Sequence, residues 1–285
     1  MAGMEQEFKT VMAQLTGPGA PWEVLRDEHD IAYYKLAPEN LVQAFEVARE
    51  HGDREFLVYE GERRSFARLM AEADAMAAAL QAQGIKPGDR VGLAMRNYPE
   101  WMTVFIAVVT IGAVIVPINS WGKPADIIHA LGDADVRLAV LDQARYSGVA
   151  DWLEANDVAA VIARPEDADD PLSLTTFVAR FQGASPPQVA IDGEDLALIM
   201  YTSGTSGAPK GAASTHRAMC QALYNFEFAA AAAAMCNMDR ISAMLERGYE
   251  STSLLAVPLF HVSGCHAQFL TNLRGGRRIV MMYKW

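Results

Sequence analysis

Between Phe56 and Ala163 the apolar positions switch repeatedly between two periods. "FLVYEGERRSF" alternates on either side of Glu60-Gly61, which predicts two short strands around a tight turn over 56–66. Phe66, Leu69, Met70, Ala73, Met76, Ala77 and Leu80 then recur at spacings of three and four, the mark of a helix with one buried face. Gly84 stops that helix, "KPGD" turns the chain, and "RVGLAM" follows as a strand. The alternation continues as helix 99–111, strand 113–118, helix 124–132, strand 136–141, helix near 146–155 and strand 158–163. Strands alternating with helices predict βαβ units and a mostly parallel sheet covered on both faces.

Residues 164–195 break this rhythm. "RPEDADDP" is acidic and proline-bearing, and "QGASPPQ" is small and proline-rich, so a boundary between two subdomains is expected near 184–194. The predicted class is α/β: two packed subdomains with mostly parallel sheets flanked by helices. A helical or irregular lead-in covers 1–39, a first α/β subdomain 40–190, and a second, incomplete one 191–285. Within the last, "LALIMY" is a strand, a glycine-rich loop follows, and a helix begins near Thr215. That helix either runs on through Ala229–Ala234 or gives way there to a lid or an insertion. "SLLAVPLF" is expected as a buried strand, 264–274 as a helix and "RRIVMMY" as a strand.

The run from Trp101 to Gly122 has no charged residue and is long enough to cross a bilayer. Gly112, Pro117 and Asn119 interrupt it, so a buried helix, a turn and a core strand are expected, with no transmembrane segment. At 285 residues the chain can bury a sizeable core. Its net charge of −11 argues against a nucleic-acid partner gripped through its phosphates. Cys220, Cys236 and Cys265 show no CxxC spacing, so neither a disulfide framework nor a structural zinc is signalled. With an N-terminus lacking a basic start and apolar run, this suggests a reducing, cytoplasmic setting. His261, Cys265 and His266 lie close in sequence, but nothing else supports a metal site.

The chemistry concentrates in Tyr201–Gly211, "YTSGTSGAPKG". The Walker pattern GxxxxGK[ST] fails at Pro209 and Gly211, and the nucleophile elbow GxSxG fails at Ala208. An amidase-like serine loop using Ser203 or Ser206 stays open. Glycines let backbone N–H groups approach an anion closely. Thr202, Ser203, Thr205 and Ser206 add hydroxyl donors, and Lys210 adds a point charge for outer phosphates.

This stretch resembles the signature of the AMP-forming acyl-adenylate superfamily, whose members include acyl-CoA synthetases, peptide-synthetase adenylation domains and luciferases. The usual form is YTSGTTGxPKG, and Ser206 in place of threonine keeps the hydroxyl. "GIKPGDRVGLAMRNYPEW", "GAVIVPIN", "THRAM", "PLFHVSG" and "GGRRIVMMYKW" extend the resemblance from about residue 40 to residue 285. It implies that Thr202, Ser203, Gly204, Thr205, Ser206, Gly207 and Lys210 hold the ATP phosphates, one loop hydroxyl helping to place Mg²⁺. It also implies that His261 sits between the nucleotide and acyl sites and shapes the carboxylate pocket.

The implied reaction joins a carboxylic acid, fatty or otherwise hydrophobic, to AMP and then to coenzyme A. The family's Tyr-Gly-x-Thr-Glu segment, its ribose-binding aspartate and its small C-terminal domain with a catalytic lysine have no counterpart here. The chain is therefore expected to be an N-terminal part, inactive alone and prone to self-association through exposed core. A non-catalytic nucleotide-binding or interaction module ending at residue 285 is the alternative of another class.

Overall fold

The computed structural model describes the backbone of residues 2–202 and 209–283. The lead-in forms α1 (Ala2–Thr16) and a small hairpin of β1 (Val24–Arg26) and β2 (Ala32–Tyr34). After α2 (Leu41–Arg49), β3 (Glu55–Tyr59) and β4 (Glu62–Ser65) pair antiparallel about Glu60, as the alternation predicts. Ser65 caps α3 (Phe66–Ala82), its side chain accepting the Arg68 N–H. The repeating units are β5 (Arg90–Ala94), α4 (Pro99–Thr110), β6 (Val114–Pro117), α5 (Pro124–Asp133), β7 (Val136–Asp142), α6 (Gln143–Ala155) and β8 (Ala159–Ala163). A short α7 (Leu174–Val178) precedes β9 (Leu196–Thr202) and β10 (Lys210–Thr215). Then come α8 (His216–Met235), α9 (Met238–Glu246) and β11 (Thr252–Leu255). The last helical stretch runs through α10 (Val262–Gly264), a π-helical segment Cys265–Leu270 and α11 (Thr271–Arg274) to β12 (Arg278–Met281).

Two sheets result. Six strands lie in the order β10-β9-β6-β5-β7-β8, and four in the order β11-β12-β3-β4. Strands β5 to β9 run parallel, as do β11, β12 and β3, while β10 and β4 are antiparallel edges. Both sheets draw strands from either side of 184–194: β9 and β10 extend the sheet of β5–β8, and β11 and β12 extend that of β3 and β4. Along β7, Leu138 and Val140 face the core shared with α3 and α4, while Ala139 and Leu141 face α5 and α6. Burial on both faces is why these parallel strands carry apolar runs.

The uncharged run is interior from Trp101 to Ile118. Every residue from Trp101 to Thr110 is buried, because α2, α3, β5 and β6 surround α4. Trp101 stacks on Phe105 with centroids 5.4 Å apart, and Phe269 meets both edge-on at 6.1 and 5.7 Å. Burying each ring contributes roughly 1.5–3 kcal/mol. Among the described residues, no helix is long and apolar enough to cross a membrane.

Two expectations change, and one open alternative is decided. A strand, β10, intervenes between the glycine-rich loop and the helix at 216; its residues "KGAAST" are small and largely exposed, so no hydrophobic period signals it. It exists through backbone pairing with β9. "SLLAVPLF" is not a buried strand: only Thr252–Leu255 pairs, at the sheet edge, with Leu254 58% exposed. Of the alternatives for Ala229–Ala234, the helical one is found: the run continues α8 without a break.

Candidate active site

In open parallel sheets, ligands are held where the strands' carboxyl ends meet. Here both sheets direct such ends at one place. Asn97 follows β5, Asn119 and Trp121 follow β6, Pro258 follows β11, and Tyr283 follows β12; together they line a cleft of about 290 Å³. Thr202 ends β9, which pairs with β6 in parallel, so the glycine-rich loop leaves from the same edge. Larger hollows of about 400 and 760 Å³ lie instead beside the β1–β2 hairpin and α8.

Of the expected phosphate-holding residues, Ser203, Gly204, Thr205, Ser206 and Gly207 lie outside the described residues. Thr202 and Lys210 are described. They are direct partners across β9 and β10, so the two ends of the loop close on each other. Both side chains are exposed. Gly211 must be small: a Cβ there would come within 2.8 Å of Ile199 Cγ2.

Helix α5 grips both stems of the loop. His129 Nε2 lies 3.0 Å from the Pro209 carbonyl and donates to it. One turn along α5, Asp133 accepts the Tyr201 hydroxyl at 2.6 Å. The Tyr201 phenol is thereby pushed well above its ordinary pKa, first by burial and then by the bond to the Asp133 carboxylate. Sequence reasoning passes over His129 and Asp133. Their i,i+4 spacing on a helix is the one signal that places them together.

His261 is exposed on the cleft wall, its ring 4.5 Å from that of Phe260. Extended backbone at His261 starts the helix, and its carbonyl accepts from Gly264 at 3.0 Å and Cys265 at 2.8 Å. Gly264 packs so tightly on this turn that a Cβ would stand 2.1 Å from the Pro258 carbonyl oxygen. The turn is held from across the cleft by Asn97. Its Oδ1 accepts the Leu259 N–H at 3.0 Å, and its Nδ2 donates to the carbonyls of Val257 at 3.0 Å and Met282 at 3.3 Å. One amide thus ties β5 to the segments after β11 and before Tyr283. Asn97 also escapes sequence reasoning, although it lies in the segment "RNYPEW".

Cys265 and His266, near His261 in sequence, turn inward: both are buried while His261 is exposed. Burial pushes the Cys220 thiol up to about 12 and the Cys265 thiol higher, so neither offers a thiolate near neutrality. Among the described residues, no cluster of three or more His, Cys, Asp or Glu side chains could hold a metal ion.

A family model for AMP-binding enzymes matches residues 44–285. The chain belongs to the AMP-binding enzyme family. Relatives within the family are long-chain-fatty-acid–CoA ligase FadD13 of Mycobacterium tuberculosis, 29% identical over 227 residues, and 4-coumarate–CoA ligase 2 of Nicotiana tabacum, 25% identical over 243. The matches span 77% and 85% of this chain but only 40% and 42% of those relatives. Among solved structures, the N-terminal domain of FACL13 from M. tuberculosis superimposes with a TM-score of 0.67 at 24% identity, over 87% of this chain and 58% of that one. The anthranilate–CoA ligase AuaEII superimposes with a TM-score of 0.70 at 21% identity, over 89% of this chain and 46% of that one. These superpositions establish the fold, and the resemblance carried by "YTSGTSGAPKG" and "PLFHVSG" holds at the level of the family.

Proposed function

We propose that this chain is the nucleotide-side part of an ATP-dependent acid–CoA ligase. The observation that carries the reading is the closed hairpin of Thr202 and Lys210 at the carboxyl edge of β9, beside a cleft that also bears His261. The loop residues Thr202, Ser203, Gly204, Thr205, Ser206 and Gly207 cradle the phosphates with backbone and hydroxyl donors, and Lys210 supplies the compensating charge. His261 borders the space where the acid's carboxylate approaches the α-phosphorus. Attack there forms acyl-AMP and releases pyrophosphate, and the coenzyme A thiolate then displaces AMP to form the thioester. The protein's contribution is positioning and charge stabilisation, with no covalent protein nucleophile. ATP arrives with Mg²⁺ as its counter-ion, and a hydroxyl of the glycine-rich loop would help to hold it.

A hydrophobic acid, fatty or aromatic, is the proposed substrate class, supported by the names of the fatty-acid and 4-coumarate ligases among the relatives. The test has two arms. The purified chain should bind ATP and lose that binding in Lys210→Ala, while making no acyl-CoA by itself. A longer product carrying this chain should catalyse acid-dependent ATP–pyrophosphate exchange on a graded panel of fatty and aromatic acids. Equal ATP affinity in Lys210→Ala, or no exchange with any acid, rejects the reading.

A further inference from the structure

Behind Trp121, one carboxylate serves the guanidinium of Arg145 but only the backbone N–H of Arg96. Asp142, at the end of β7, is buried, and its oxygens are fully engaged. Oδ1 accepts the Arg145 backbone N–H at 3.1 Å, Oδ2 accepts the Arg96 backbone N–H at 3.0 Å, and Arg145 Nη1 reaches both oxygens at 3.1 Å. Arg145 is further held by its Nε, which donates to the Ser120 carbonyl at 2.9 Å. The Arg96 side chain is left over. Its Nε and Nη1 are shielded from water and have no hydrogen-bond partner, and the Oγ of Ser120, a residue only 2% exposed, has none either. The Trp121 ring covers the Arg96 guanidinium at 3.9 Å and is itself 51% exposed.

Charge accounting makes this arrangement unfinished. Two cations face one anion, and the anion's hydrogen bonds go to Arg145 and to backbone. The indole face attracts the Arg96 cation but takes no directed N–H bond in place of water. Burial, and then the neighbouring Arg145 charge, hold the Arg96 pKa below its ordinary range, as expected of a cation lacking a counter-charge. Unpartnered buried donors on a cation are costly. Bidentate acceptance by a carboxylate or phosphate would relieve that cost.

We propose that Arg96 and Ser120 form an oxyanion site beneath Trp121, entered from the cleft when the indole swings aside, and taking a carboxylate or phosphate group of a small molecule. Trp121 and Tyr283 line the cleft, so the site opens into the same space as His261. It goes beyond the proposed function, which uses neither Arg96 nor Ser120.

The experiment titrates the purified chain with orthophosphate, acetate and succinate, holding ionic strength constant with potassium chloride. Tryptophan emission is followed in the wild type and in Trp121→Phe, so that their difference reports Trp121. A saturable change in that difference is expected with at least one oxyanion and not with chloride. Arg96→Gln should weaken the response about tenfold or more, and Ser120→Ala about fivefold, in line with loss of charged and neutral hydrogen bonds. A response to orthophosphate alone assigns the site to phosphate-bearing molecules. A response to acetate or succinate assigns it to carboxylates, and either result supports the proposal. No saturable change in that difference with any of the three oxyanions, or a change equally saturable in Arg96→Gln, overturns it. Should Arg96→Gln fail to fold, Ser120→Ala and Arg96→Lys decide: unchanged half-saturation in both overturns the site.

Discussion

His129 donates to the Pro209 carbonyl from one turn of α5, and Asp133 accepts the Tyr201 hydroxyl from the next. A single helix face therefore fixes the strand entering the glycine-rich loop and the residue leaving it. A loop rich in glycine gains a defined shape only if its ends are set, because its own residues lose more freedom on ordering than any others.

Removing one of these anchors should weaken nucleotide binding without unfolding the chain. His129→Ala deletes a partly buried hydrogen bond worth about 0.5–1.5 kcal/mol, which predicts a two- to tenfold rise in the ATP dissociation constant. Calorimetric titration of ATP checks this. His129→Gln, which keeps a donor, should recover part of the loss. Identical affinity in all three proteins would mean that α5 does not shape the loop.

Asn97 makes a sharper case, since its amide is used in both directions. Asn97→Ala leaves the Leu259 N–H and the carbonyls of Val257 and Met282 without their partner and should cost about 1–3 kcal/mol. Asn97→Asp should be worse at neutral pH. The carboxylate can still accept from Leu259, but its second oxygen faces two carbonyls that also only accept. Repulsion raises the introduced group's pKa in the folded state above its unfolded value. The protonated form is then favoured by folding, and stability should recover as the pH is lowered through the carboxylate range. Urea midpoints of the two variants at pH 7 and pH 5 read this out. An Asp variant as stable as Asn at pH 7 would contradict the assigned geometry.

The hydrophobic period makes the βαβ core of this fold legible, because strands β5 to β8 and helix α4 are buried on both sides and carry apolar runs that polar context cannot mimic. Strand β10 was hidden for the opposite reason. Lys210–Thr215 bears no large apolar side chain, and its place is set by backbone pairing alone. Sheet composition was hidden too, since long-range neighbours such as Val280 beside Val58 leave no trace in local periodicity. In the site, the glycine-rich loop and His261 stand out by motif. The residues that hold them, His129, Asp133 and Asn97, are single polar side chains whose meaning depends on contacts 68 to 185 positions away.

Gly264 belongs to a motif, yet its physical reason is visible only in three dimensions. Gly264→Ala drives a Cβ into the Pro258 carbonyl, a backbone atom that cannot rotate away. The turn carrying His261 must then open. A loss of about 2–4 kcal/mol is expected, within the range of strongly destabilising single substitutions. Thermal unfolding measures it, and a melting temperature within a degree of wild type would show that the turn is looser than its packing indicates.

Acid sensitivity should trace to two histidines outside the cleft. His216 is fully buried; Leu41 N–H donates to its Nδ1 at 3.3 Å, and Nε2 has no partner. His266 is 6% exposed, with Nε2 at 2.9 Å from Met219 Sδ and Nδ1 unpartnered. Burial lowers both to about 4 from an ordinary value of 6.5. Between those values the unfolded chain binds more protons than the folded one, so stability is fully present above pH 6.5 and declines as pH falls towards 4. At 1.36 kcal/mol per pKa unit, each histidine accounts for about 3 kcal/mol across that window. His266→Leu and His216→Gln should each flatten the curve of urea midpoint against pH, and the double variant should flatten it most. Glu100, held low by Arg164 and Arg64 against the opposing effect of burial, loses its contribution only at more acidic pH, where it is protonated. Variant curves that stay parallel to wild type from pH 7 to 4.5 would mean that these imidazoles are solvated in the folded chain.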